Sequence, residues 1–139
     1  MYPDLEEFFD DAVEIYSQEL RALHAAGGRY LQIDEVALPL LCDESLRAAV
    51  RARGDEPDAL VGLYIGLINR VVRSRPEGMT IGVHMCRGNA LGRWIGAGSY
   101  EAIAERAFNS LEVDAYFLEY DTERAGESVA LAAMRLCQP

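Results

Sequence analysis

Apolar positions recur at three- and four-residue steps over residues 4–26, at Leu5, Phe8, Phe9, Ala12, Val13, Tyr16, Leu20 and Leu23. That spacing predicts a helix with one apolar stripe. Asp4 stands where a cap belongs, Glu7 follows three residues on, and Gly27-Gly28 closes the far end. A second long stripe runs over 57–74 through Leu60, Leu63, Leu67, Ile68, Val71 and Val72, with Pro57 in its first turn. Shorter helices are expected over 44–53, capped by Asp43 and closed by Gly54, and over 99–110, capped by Ser99. In the latter, Tyr100, Ile103, Ala104, Ala107 and Phe108 face inward. Three short β-prone runs lie between these helices, at 29–33, 79–83 and 114–118. The stretch VALPLLCDES after the first is expected to be a loop, because Pro39 breaks a strand. Strands separated by helices predict right-handed crossovers and a parallel sheet, hence an α/β fold.

Composition narrows the function. The chain has 139 residues, half of them hydrophobic, with 23 acidic against 13 basic side chains and a net charge of -10. Nucleic acid and anionic membranes both call for a basic face, so neither is an expected partner. No apolar run approaches the ~18–20 residues needed to cross a bilayer. The acidic start MYPDLEEFFDD is unlike a signal peptide, and a cytoplasmic location is expected. Cys42, Cys86 and Cys137 are odd in number and widely spaced, which argues against a disulfide framework.

The chemistry gathers at the ends of the strands. TIGVHMCRGN (80–89) carries His84 and Cys86 two apart, so they share a strand face. Imidazole and thiolate are both ligands for zinc. Asp34-Glu35 ends the first strand and Glu119 the third. In a parallel α/β fold the carboxyl ends of the strands open on one side, so these groups can converge. Three protein ligands with an exchangeable fourth position describe a catalytic zinc better than a structural one. The bland readings are a buried small hydrophobe for any one of the cysteines, a salt-bridged or solvated carboxylate for Glu119, and a helix cap or a partner of a neighbouring Arg for Asp34-Glu35. Arg87, Asn89, Arg93 and Trp94 in the Gly-rich loop RGNALGRWIGAG could touch a ligand, although such a loop needs no purpose beyond turning.

YLQIDEVAL, the VHMCRGN stretch and VDAYFLEYD, taken in order, resemble the catalytic barrel of cobalamin-independent methionine synthases, and more closely the shorter bacterial proteins of that superfamily. The resemblance covers residues 1–126. It implies a partial (β/α)8 TIM barrel of the methionine synthase/uroporphyrinogen decarboxylase-like type, with 127–139 as a helical or irregular tail outside the match. It further implies zinc held by His84, Cys86 and Glu119, with Asp34 at the amino group of homocysteine and Glu35 beside it. The implied reaction moves a methyl group from 5-methyltetrahydrofolate to the homocysteine thiol. Related readings are a zinc-dependent alkyl transferase acting on another small thiol, and a truncated, non-catalytic barrel fragment. The family's fourth ligand, a later Cys, has no counterpart here, since Cys137 lies in the unmatched tail. The isolated chain is therefore expected to be inactive, and open barrel edges are expected to favour self-association.

Overall fold

The structure is a computed structural model that describes residues 2–126; the expected tail, with Cys137, lies outside them. Helix α1 (Leu5–Ala25) precedes strand β1 (Tyr30–Glu35). Three helices follow, α2 (Ala37–Leu40), α3 (Glu44–Ala52) and α4 (Pro57–Arg73), and lead into β2 (Thr80–Met85). A two-residue hairpin, β3 (Asn89–Ala90) with β4 (Arg93–Trp94), comes next. A 3-10 turn at Tyr100–Ala102, helix α5 (Ala104–Ser110) and β5 (Ala115–Leu118) complete the main elements, and a last 3-10 turn spans Glu123–Ala125.

β1, β2 and β5 form a parallel sheet with β2 in the centre. Its register sets Asp34 beside His84 and Glu35 beside Met85, and then His84 beside Phe117 and Met85 beside Leu118. Alternation divides the sheet. Ile33, Val83, Met85, Tyr116 and Leu118 pack on Leu38, Val61, Ile65, Ile103 and Phe108 from the helices. Ile81 and Leu31 pack on Leu20, Val71 and Val72. The opposite face carries Tyr30, Gln32, Asp34, His84 and Phe117, all exposed or half-buried. A parallel sheet is ordinarily covered on both faces or closed on itself; among the described residues this one is covered on one.

Local chemistry explains the joints. The Asp4 carboxylate accepts the Glu6 N–H at α1's start, and Gly27, at φ +99°, turns the chain out of its end. Asp43 caps α3 through the N–H groups of Ser45 and Leu46, and its second oxygen accepts the Ala97 N–H at 2.9 Å, pinning the Gly-rich loop to the helix layer. Buried Asn69 donates to Ser110 O and accepts from Glu112 N–H, joining α4 to the end of α5. Asp114 accepts from Ile81 N–H at 2.7 Å and aligns β5 with β2.

Several expectations change. β1 runs two residues beyond the expected strand, so Asp34 and Glu35 belong to it. Pro39 lies inside α2 rather than in a loop; in a helix of four residues its missing N–H is one no turn would use. The expected helix over 99–110 divides at Ile103. The α1 stripe is largely uncovered. Leu20 is buried, but Leu5, Phe8, Tyr16 and Leu23 are exposed, and several of its members line a groove of about 480 Å³ between α1, α4 and β1.

Candidate functional site at the carboxyl end of the sheet

Asp34, His84 and the start of the chain after β5 lie on the uncovered face, at the end where all three strands stop. Cys86 continues the His84 face one residue past β2, and the Glu119 N–H donates to Met85 O at 3.1 Å, so the β2–β5 ladder extends to Glu119. By register and alternation, Asp34, His84, Cys86 and Glu119 therefore share one face and one end.

His84 Nδ1 is in hydrogen-bond contact with Asp34 Oδ1. A carboxylate accepts, so Nδ1 donates, and in the neutral ring Nε2 keeps its lone pair for another partner. Carboxylates commonly orient metal-binding imidazoles in this way. Asp34, expected at a substrate amino group, is thus engaged with His84, with most of its side chain still exposed.

Glu35 lies on the other face. Its carboxylate is buried and accepts the Leu38 N–H through both oxygens, at 3.1 and 2.9 Å, holding the first turn of α2. Burial pushes this carboxyl up to about 7, against the pull of the Leu38 and Ala37 N–H groups, and Asp34 adds to the rise. Between the ordinary value of 4.5 and about 7 the folded chain keeps a proton that the unfolded chain has released. Stability therefore falls as pH rises through that window. Glu35→Gln is expected to flatten the slope by up to about 3 kcal/mol. Urea unfolding of both proteins at a series of pH values checks it; parallel curves refute it.

Glu119 is held on both oxygens. Oε2 accepts the Arg87 N–H at 3.2 Å, and Oε1 lies 3.5 Å from Arg124 Nη1. Both arginines are buried, at 0 % and 3 % exposure. The Arg87 guanidinium donates to Gly98 O at 2.7 Å, Glu119 O at 2.6 Å and Ala125 O at 3.4 Å, and lies 4.2 Å over the Tyr100 ring. The Tyr100 hydroxyl donates to Met85 O, and burial pushes it up to about 12. Arg124 donates to Gly96 O, Gly88 O and Asn89 Oδ1 and sits over Trp94. Of the loop residues considered for ligand contact, Arg87 is structural, while Arg93 and Trp94 are exposed. Arg124 was missed, because a single Arg in DTERAG reads as surface charge. Buried Cys42, whose thiol burial pushes up to about 12, is the small hydrophobe that the bland cysteine reading describes.

The expected ligands share a face but do not form a closed cage. Among the described residues no three of His, Cys, Asp and Glu stand close enough together to hold a metal ion. No described helix is long and apolar enough to cross a membrane.

No protein-family model matches the chain. It is 40% identical over 126 residues to the uncharacterized protein YxjH of Bacillus subtilis, covering 91% of this chain and 33% of that protein. It is 37% identical to YxjG of the same organism, covering 88% of this chain and 32% of that one. The methionine synthase of Pyrococcus furiosus is 29% identical over 86% of this chain and 27% of its own length. A solved structure from Listeria monocytogenes, provisionally assigned as a vitamin-B12-independent methionine synthase, superposes with a TM-score of 0.70 at 32% identity, covering 98% of this chain and 36% of that one. The chain thus spans about a third of the length of the curated relatives it matches. In sequence and in fold, this chain is similar to about a third of a vitamin-B12-independent methionine synthase.

Proposed function

We propose that the chain is the zinc-binding portion of a thiol methyltransferase. In this reading its three strands are neighbouring staves of a (β/α)8 barrel, and the uncovered face is the barrel's interior. One observation carries the proposal: Asp34, His84, Cys86 and Glu119 share the uncovered face at the carboxyl ends of three adjacent parallel strands.

The residues divide the work. Asp34 orients the His84 ring through Nδ1 and leaves Nε2 outside that bond. Cys86, half-buried just past β2, is a free thiol two residues from His84. Glu119, braced on both oxygens, keeps lone pairs for a further partner, since each carboxylate oxygen accepts twice. These three donors would be the ones to hold zinc once drawn closer together than they stand here; when bound, zinc would lower the pKa of a substrate thiol so that it is presented as a thiolate at neutral pH. The thiol is homocysteine and the donor 5-methyltetrahydrofolate, by similarity to the methionine synthases; another small thiol is the near alternative. The protein's contribution beyond the metal is positioning.

The unclosed ligand cage favours a second reading, a non-catalytic remnant of the barrel. Zinc titration of the chain and of His84→Ala, Cys86→Ala and Glu119→Ala separates the two. Each substitution is expected to weaken zinc by at least about tenfold, the scale on which even the groups supporting metal ligands act. Equal stoichiometry and affinity in all four proteins would discard the metal site. Methionine formed from homocysteine and methylfolate by the 139-residue chain alone would discard the remnant reading; no such turnover is expected.

A further inference from the structure

We propose that the open edge of β1, with the groove beside it, is a docking site for one further β-strand, parallel to β1 and supplied by another polypeptide. The inference rests on the reading of the three strands as staves of a barrel, and not on the ligand set. Among the described residues β1 is an edge strand. The Thr80 N–H donates to Arg29 O at 2.9 Å, and Tyr30 stands opposite Thr80. Bonding residues alternate along a parallel ladder. Leu31, Ile33 and Glu35 therefore turn their backbone N–H toward β2, while Tyr30, Gln32 and Asp34 turn theirs to the open side. β1 shields that side with neither proline, lysine nor bulge, the usual devices of an edge left in solvent.

The groove of about 480 Å³ follows this edge. Leu31 and Ile33 line it from one face of the strand, Gln32 and Asp34 from the other, and Tyr16 and Leu23 from α1. Topology says what fits there. The sheet is laid down in chain order, β1 to β2 to β5, with helices crossing between the strands. A right-handed crossover of the same kind assigns the place beyond β1 to a strand that precedes α1 in sequence, with α1 as its crossover helix. This chain spans 33% of YxjH, which leaves length enough there for such a strand. A second copy is the poorer occupant. Pairing β1 with itself about a twofold would bring together two α1 helices, each with six acidic residues and one arginine, in chains of net charge -10. The occupant is instead an extended segment with apolar side chains at alternate positions, to meet Tyr16 and Leu23, and without acidic residues beside Glu19 and Asp34.

The probe is a fluorophore-labelled peptide of about 20 residues, long enough for one strand and its turn: the stretch of YxjH that immediately precedes its matched part. Titrated with the full chain, it is expected to bind saturably by fluorescence anisotropy and to slow hydrogen exchange at the Tyr30, Gln32 and Asp34 amides. A peptide of the same composition in scrambled order is expected to bind at least about tenfold more weakly, because alternation is lost. Gln32→Pro removes one outward N–H and leaves the β1–β2 ladder intact. It is expected to weaken the peptide about tenfold, the scale of one lost hydrogen bond, with a urea midpoint near wild type. If that variant fails to fold, Tyr16→Glu carries the test: the position is exposed, and a charge in the groove is expected to weaken the peptide by a similar factor. No binding, equal binding of the scrambled peptide, or binding that survives substitution in a folded chain would overturn the proposal. So would a chain that sediments as a dimer protected at the same three amides, since a second copy would then fill the edge. None of these outcomes touches His84, Cys86 or Glu119, so the zinc titration is decided separately from this one.

Discussion

Gly98→Ala is expected to destabilise the fold by about 3–5 kcal/mol, placing it among the exceptional point substitutions. Gly98 has φ +135°, a conformation that residues with a side chain rarely adopt. A Cβ there would stand 2.3 Å from Cys42 O and 2.9 Å from its carbonyl carbon. Both are backbone atoms, so no side chain can rotate away. Gly98 also donates to Arg124 O and accepts from Arg87 Nε, so any shift that relieved the contact would strain both buried arginines. Gly78→Ala is the control. Gly78 has φ +76° with open space around it, and its replacement is expected to cost about 1 kcal/mol, the ordinary left-handed penalty. Urea unfolding of the two variants measures the difference; equal losses would mean that the close approach to Cys42 carries no energy.

Hydrophobic period located what depends on period. The burial of Ile103, Ala104, Ala107 and Phe108 and the three strands in parallel order follow from spacing in the chain. Period is blind to cover. The α1 stripe is as regular as that of α4, yet Tyr16 and Leu23 stay exposed and line the groove between α1, α4 and β1. Period also cannot separate Asp34 from Glu35 in a strand that ends at 33. Once the strand runs to 35, alternation sends one carboxylate to His84 and the other to the N–H of Leu38. The arginine brace was least legible. A buried guanidinium is recognised by which carbonyls surround it, and those of Gly88, Gly96, Gly98 and Ala125 come together only in three dimensions.

Arg87→Met is expected to cost about 4 kcal/mol, although it removes a charge from the interior. Exchanging a buried ion pair for apolar side chains is often neutral, because both charges leave together. That escape is closed here. The acceptors of Arg87 are the backbone carbonyls of Gly98, Glu119 and Ala125, which no substitution removes, and an unsatisfied buried polar group costs about 1–3 kcal/mol. Methionine fills much of the volume and can lie against Tyr100, so the loss measures missing donors more than a cavity. Arg87→Lys keeps the charge and at most part of the bonding, and is expected to lie between methionine and wild type. Arg93→Met, at an exposed hairpin position of the same loop, is expected within about 0.5 kcal/mol of wild type. Amide hydrogen exchange gives the change an address: protection in Arg87→Met is expected to fall first over 96–99 and 119–126, the two segments the guanidinium joins. The second of those segments carries Glu119, so the substitution is also expected to loosen that proposed ligand. Equal stability of the methionine and wild-type chains, or protection lost first in α1, would show that the two segments are held by something other than this guanidinium.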